Sequence, residues 1–150
     1  MIQKALFGAG CFWGVEEHFR SLKGINNTEV GYSGGNTKNP TYESVCYQKT
    51  DHAEVLCVDF DDEVISYEAL VEEFWKCHDP TTLDRQGPDV GRQYRSVIYY
   101  FNNHQQIIAE NSKEKHQSNF NGQIITEISQ ADIFYKAEEY HQQYVQKSKA

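Results

Sequence analysis

Leu6-Phe7-Gly8-Ala9-Gly10-Cys11-Phe12-Trp13-Gly14 is the stretch on which the fold turns. Leu6 and Phe7 end a short strand that stops in Gly8-Ala9-Gly10, and an amphipathic helix over about residues 11–22 follows. Phe12, Val15, Phe19 and Leu22 fall on one stripe of that helix, and Gly24 stands where a C-terminal cap belongs. Outward from it, further strands are read at Thr28–Tyr32, Ala53–Phe60, Ser96–Phe101 and Ile124–Ile128. Helices are read at Thr41–Gln48, from a Ser66 cap through Leu70, Val71, Phe74 and Trp75, at His104–Ser118 and at Ala137–Val145. Ala53–Phe60 is apolar almost throughout, as a strand covered on both faces should be. The polar His104–Ser118 helix shows only Ile107 and Ile108, which puts it on the surface. Residues 81–93 form an apolar-poor loop with Gly87-Pro88 and Gly91, and a loop of that length is usually functional or disordered. Strands and helices mixed in this way give an α+β domain with a mixed sheet, residues 1–150 forming one unit.

The 150 residues carry 14 Lys and Arg against 22 Asp and Glu, a net charge of −8 with no basic run. That excludes nucleic acid as the main partner, because neutralising phosphates needs clustered positive charge. No stretch approaches membrane-spanning length, and Met1 to Phe7 is too short in apolar residues for a signal peptide. A cytoplasmic protein with reduced thiols is expected. The four cysteines, Cys11, Cys46, Cys57 and Cys77, make no Cys-x-x-Cys pair, and the six histidines show no ligand spacing, so no metal site is expected.

Chemistry is read first at Cys11. Glycines before it keep the sulfur approachable, and a helix beginning there points free N–H groups at it, which favours the nucleophilic thiolate. Phe12 and Trp13 offer an apolar wall suited to a small uncharged group. The plainer alternative is a buried thiol at a helix start with two aromatics in the core. Glu54 shares a strand face with Leu56, Val58 and Phe60, where a carboxyl resists ionisation and becomes a proton donor. Alternatively it sits at the strand's wet end. Tyr42 and Tyr94 are neutral phenols that can donate to an oxygen, or simply packing residues. Asp89 reads unaided as a turn aspartate.

Five motifs in order then carry a resemblance: Gly10-Cys11-Phe12-Trp13-Gly14, Gly31-Tyr32-Ser33-Gly34-Gly35, Pro40-Thr41-Tyr42-Glu43, His52-Ala53-Glu54 and Gln93-Tyr94-Arg95-Ser96. From about Leu6 to Tyr144 the chain resembles the peptide-methionine (S)-S-oxide reductases, the A family of methionine sulfoxide reductases. The resemblance implies a ferredoxin-like two-layer α+β sandwich that acts as a monomer. It implies Cys11 as the nucleophile that attacks the sulfoxide sulfur and becomes a sulfenic acid. Glu54 would be the acid at the sulfoxide oxygen, with Tyr42 and Tyr94 as further donors and Asp89 nearby. Phe12 and Trp13 would hold the substrate methyl group. No cofactor is bound; the co-substrate is a thiol, and the substrates are oxidised proteins or free methionine sulfoxide.

Two departures from the family pattern stand out. Position 51 is Asp where glycine is usual; facing the pocket, it would raise the Glu54 pKa further, and facing solvent it would do nothing. No cysteine follows Cys77, whereas many relatives carry resolving cysteines in a C-terminal tail. Cys46, four residues after Tyr42 and on the same face of a helix there, is the best internal resolving thiol, ahead of Cys57 and Cys77. An outside thiol such as thioredoxin, glutathione or glutaredoxin is the favoured reductant. Two readings of other classes remain: a thiol peroxidase using Cys11, and an acidic interaction domain indifferent to Cys11→Ser.

Overall fold

The computed structural model describes residues 1–149. The chain runs β1 (Ile2–Ala9), α1 (Phe12–Arg20), β2 (Ile25–Ser33), α2 (Tyr42–Tyr47), β3 (Ala53–Asp61) and α3 (Tyr67–Lys76). It continues through β4 (Arg85–Gln86), β5 (Asp89–Val90), β6 (Ser96–Tyr100), α4 (Asn103–His116), β7 (Glu127–Gln130), β8 (Tyr135–Lys136) and α5 (Tyr144–Ser148). Short 3₁₀ turns lie at Arg92–Tyr94, Gln117–Asn119 and Glu139–His141. This is a mixed α+β architecture. The main sheet has the order β7-β6-β1-β3-β2-β8; every pairing is antiparallel except β6 with β7.

Both faces of β1 and β3 are covered, which explains their nearly unbroken apolar runs. Phe7, Leu56, Val58 and Phe60 point to the helix side and pack with Phe19, Leu70, Phe74 and Trp75. Leu6, Val55 and Cys57 point the other way and join Val97, Tyr99 and the partly buried Phe134. The helices start where the sequence offers caps. Ser66 Oγ accepts from the Ala69 amide at 3.0 Å, and Thr41 Oγ1 accepts from the Ser44 amide at 3.1 Å.

Several elements differ from expectation. The first strand runs past Leu6-Phe7 to Ala9, because β6 partners Gly8 and Ala9, and the second is longer than Thr28–Tyr32, because β3 partners it from Ile25 to Ser33. Residues 81–93 are not bare loop: β4 and β5 pair as a small hairpin, Gln86 opposite Asp89, with Gly87 at φ 56° in the turn. The strand read at Ile124–Ile128 begins only at Glu127, and Ile124 is spent in the core. The α4 helix is not purely superficial. Ile107 is exposed, but Ile108 and Ala109 pack on the core and Ser112 accepts from the Trp75 indole at 2.8 Å.

The largest departure is Ala137–Val145, which is not one continuous helix but a 3₁₀ turn at Glu139–His141 and, from Tyr144, the start of α5. Glu138, His141, Gln142 and Gln143 each bond to groups far away in sequence, and those bonds displace the local helical ladder. Gln142 caps the β2 edge: its side chain accepts from the Val30 amide and donates to the Val30 carbonyl, both at 2.9 Å. The chain leading into this closing strap runs along β2, and there Gly31 lies against the Tyr135 carbonyl and the Phe134 ring, with no room for a Cβ. Gly31→Ala is expected to cost about 1–3 kcal/mol, the range for an overpacked site, read from the urea midpoint. A wild-type midpoint would show that this chain yields freely there.

Candidate active site

Cys11 is the N-cap of α1, one residue before the helix begins, and Gly10 precedes it at φ 94° against the Gln86 side chain. The thiol is half-buried. Burial pushes its pKa up from 9.0 to about 11, and the charges of Glu54 and Asp89 add to this, against the pull of the Trp13 and Gly14 amides. The expectation that the helix start favours thiolate is therefore corrected for the substrate-free site: Cys11 is a thiol, because desolvation outweighs the amides.

Glu54 lies on β3 opposite Tyr32 and is 1% exposed, which decides against the strand's wet end. Its Oε1 accepts from the Phe12 amide at 3.2 Å, which ties β3 to the first residue of α1. Its Oε2 is buried without a hydrogen-bond partner. Burial raises its pKa from 4.5 to about 8, with a further push from Asp89 and an opposing one from the Phe12 amide. At neutral pH this group is a carboxylic acid with its free oxygen in a dry recess.

Asp51 does not contribute to that shift. It sits at φ 59°, the left-handed region where glycine is at ease, and its carboxylate turns to Arg92 at 2.8 Å. Arg92 also reaches Asp84 at 3.1 Å and holds the Asp51 carboxyl below its usual range.

Tyr42 and Tyr94 are half-buried, and burial raises both phenols well above their ordinary value, so both remain neutral donors. Tyr94 feels the charges of Glu54, Cys46, Asp89 and Cys11, and Tyr42 those of Cys46, Tyr94 and Glu54. Cys11, Glu54, Tyr42, Tyr94, Asp89 and Cys46 thus gather in one neighbourhood. Cys46 lies near Tyr42 and Gln93, and burial pushes its thiol pKa up; it lines a cavity of about 450 Å³ with Asp51, His52 and Arg92, which Cys11 does not line. Cys57 lies on the opposite sheet face, and the Cys77 thiol donates to the Phe74 carbonyl at 3.3 Å; neither joins the site.

Phe12 is buried against Tyr32 and His141, with ring centroids 5.7 and 5.2 Å apart. Trp13 is half-buried; its indole donates to His141 Nδ1 at 2.9 Å, and Tyr144 stacks flat on it at 3.8 Å. Burial lowers the His141 pKa, so the ring is neutral, and since Nδ1 accepts, Nε2 carries the proton. Glu138 accepts from the Tyr32 hydroxyl and from the Tyr42 amide, each at 2.9 Å. Sequence reasoning missed Tyr32, Glu138, His141 and Tyr144. The available signal was the dense polar and aromatic run Glu138-Glu139-Tyr140-His141-Gln142-Gln143-Tyr144, which was read as a terminal helix. Among the described residues, no three His, Cys, Asp or Glu side chains gather as metal ligands, and no helix is long and apolar enough to cross a membrane.

A thiol, a protonated carboxyl and two phenols gathered on an α+β frame are groups able to carry nucleophilic attack and proton transfer. The family model described as peptide methionine sulfoxide reductase matches residues 3–150. A peptide methionine sulfoxide reductase MsrA of Methanosarcina mazei is 55% identical over 148 residues, covering 97% of this chain and 70% of that protein. The structure of Mxr1 from Saccharomyces cerevisiae in reduced form superposes with a TM-score of 0.94 at 36% identity, covering 99% of this chain and 86% of the other. Mxr1 in complex with Trx2 gives 0.69 at 27% identity, covering 93% and 84%. The chain belongs to the peptide methionine sulfoxide reductase family and is an oxidoreductase.

The buried acid has a signature in stability. A carboxyl whose pKa is raised by folding contributes fully below about pH 4.5, and that contribution is lost as pH rises through about 8. Wild type is expected to lose melting temperature relative to Glu54→Gln across that window; parallel curves would mean that Glu54 ionises as an exposed carboxyl does.

Proposed function

We propose that the chain reduces the S epimer of methionine sulfoxide, in proteins or as the free amino acid, through a sulfenic acid on Cys11. The observation that carries this reading is the unpartnered Oε2 of Glu54, protonated at neutral pH and held beside the thiol. A sulfoxide is a poor electrophile until its oxygen is hydrogen-bonded or protonated, since oxide is a bad leaving group. Glu54 supplies that proton, and Tyr42 and Tyr94 donate to the same oxygen. Positive charge developing on the sulfoxide sulfur beside Cys11 then favours the thiolate that the empty site does not hold. Phe12 and Trp13 receive the methyl group, and Asp89 serves by keeping Glu54 protonated.

The atoms balance without a cofactor. The sulfoxide S–O bond breaks, its oxygen ends on Cys11 as Cys–SOH, and methionine leaves as the thioether. An outside dithiol then reduces Cys–SOH to the thiol, releasing water and leaving as the disulfide. Cys57 on the opposite sheet face and the bonded thiol of Cys77 leave Cys46 as the internal candidate, and we take an outside thiol as the reductant. The yeast neighbour seen with Trx2 supports a thioredoxin-type partner, with glutathione or glutaredoxin as alternatives.

The same reading covers the frame. The order β6-β1-β3-β2, with α1 and α3 on one face, supports reading the frame as a ferredoxin-like two-layer sandwich. We take residues 1–150 as one catalytic domain, working as a monomer in the cytoplasm, where its four free cysteines stay reduced.

The test is methionine formed from the separate S and R sulfoxides with excess dithiol. Turnover of S alone is expected, abolished by Cys11→Ser and lowered at least about tenfold by Glu54→Gln. Wild-type activity should decline as pH rises through about 8, as Glu54 loses its proton, and the Gln variant should lack that limb. A near-wild-type rate in Glu54→Gln would remove this residue from the mechanism, and methionine from neither epimer would overturn the reading.

A further inference from the structure

Glu16 is a buried carboxylate that the reaction above does not use. It stands one helical turn beyond Phe12 and Trp13 on α1 and is 1% exposed. Three neutral donors converge on it. Oε2 accepts from the Thr28 hydroxyl and from the Gln143 side-chain amide, each at 2.7 Å, and Oε1 accepts from the Gln143 backbone N–H at 2.7 Å. An amide in place of the carboxylate would set its NH2 against at least one of these donors. Gln143 lies at φ 50°, a left-handed conformation that a non-glycine residue keeps only where its surroundings hold it. Two residues close to Gln143 in the chain grip Trp13: His141, two before it, accepts the indole proton, and Tyr144, next after it, stacks on the indole face.

We propose that Glu16 and Gln143 form a latch that holds the strap against α1, and so sets the position of the Trp13 indole and the tightness of the substrate pocket. Both are positioning residues; neither touches the reacting atoms. The proposal rests on Trp13 as a wall of the pocket, as read above. With the carboxylate gone, Gln143 loses the partner that holds its left-handed backbone. Tyr144 then leaves the indole, and the pocket loosens while Cys11, Glu54, Tyr42 and Tyr94 stay in place. Substrate binding suffers more than the chemical step.

The test compares Glu16→Gln, Gln143→Glu and the double exchange, each in a Trp75→Phe background so that Trp13 is the remaining tryptophan. Each single variant is expected to raise KM for S methionine sulfoxide about three- to tenfold with kcat within about twofold, the size of one or two lost hydrogen bonds. Trp13 emission should brighten and shift to the red as Tyr144 unstacks. Each single variant sets like groups against each other, whereas the double exchange restores one carboxylate facing one amide. Position 143 then loses its 3.1 Å bond to the Thr28 carbonyl, so both readouts should come back in part, beyond either single variant. A lower melting temperature with unchanged KM and unchanged Trp13 emission would make Glu16 merely structural and overturn the latch. If wild type reduces neither epimer, the proposed function fails, and the emission of the three variants still decides the latch.

Discussion

The bond from the Phe12 amide to Glu54, closed inside an apolar recess, is the constraint on which the rest of the site depends. It joins the middle of the sheet to the first residue of the helix that carries the thiol. Because one carboxyl oxygen is occupied and the other is dry and free, the group keeps its proton at neutral pH. The same burial governs Cys11. A helix start is worth about 0.3–1 kcal/mol to a nearby negative charge, and one pKa unit corresponds to about 1.4 kcal/mol. Against a rise from 9.0 to about 11, the amides lose. At neutral pH the site therefore holds two protons, one on sulfur and one on oxygen.

A second dependence runs through the strap of residues 138–144. Its length would suit a helix, yet each polar side chain is drawn to a remote partner: Glu138 to Tyr32 and the Tyr42 amide, His141 to Trp13, Gln142 to Val30, Gln143 to Glu16. A buried donor left unpaired costs about 1–3 kcal/mol, while helical propensities differ by only tenths per residue, up to about 0.7 kcal/mol. Several satisfied buried groups therefore outweigh a few residues of helix. Asp51 shows the opposite balance at the surface. A left-handed conformation costs a residue with a Cβ about 1–2 kcal/mol, and an exposed ion pair such as Asp51–Arg92 returns about 0–1. Glycine suits that backbone better, which accounts for its place in the family pattern.

Much of this was legible in advance where a local rule had a single outcome. The Phe12, Val15 and Phe19 stripe, the Ser66 cap and the two-faced Ala53–Phe60 strand all follow from periodicity and capping, and the structure has them. Alternation put Glu54 on the face of Leu56 and Val58, and there it is buried. Position 51 carried no such rule: its carboxylate could face pocket or solvent, and only the arrival of Arg92, 41 residues later, chose.

The sequence by itself determined the α+β order, the thiol at the helix start and the acid on an apolar strand face, because these depend on neighbours within one or two turns. Only the tertiary structure decided the protonation of Cys11, the path of residues 137–145 and the partners of Trp13. Each of those depends on how much water is excluded and on which distant donors and acceptors meet. Desolvation is a property of the assembled volume, and no local pattern of residues contains it.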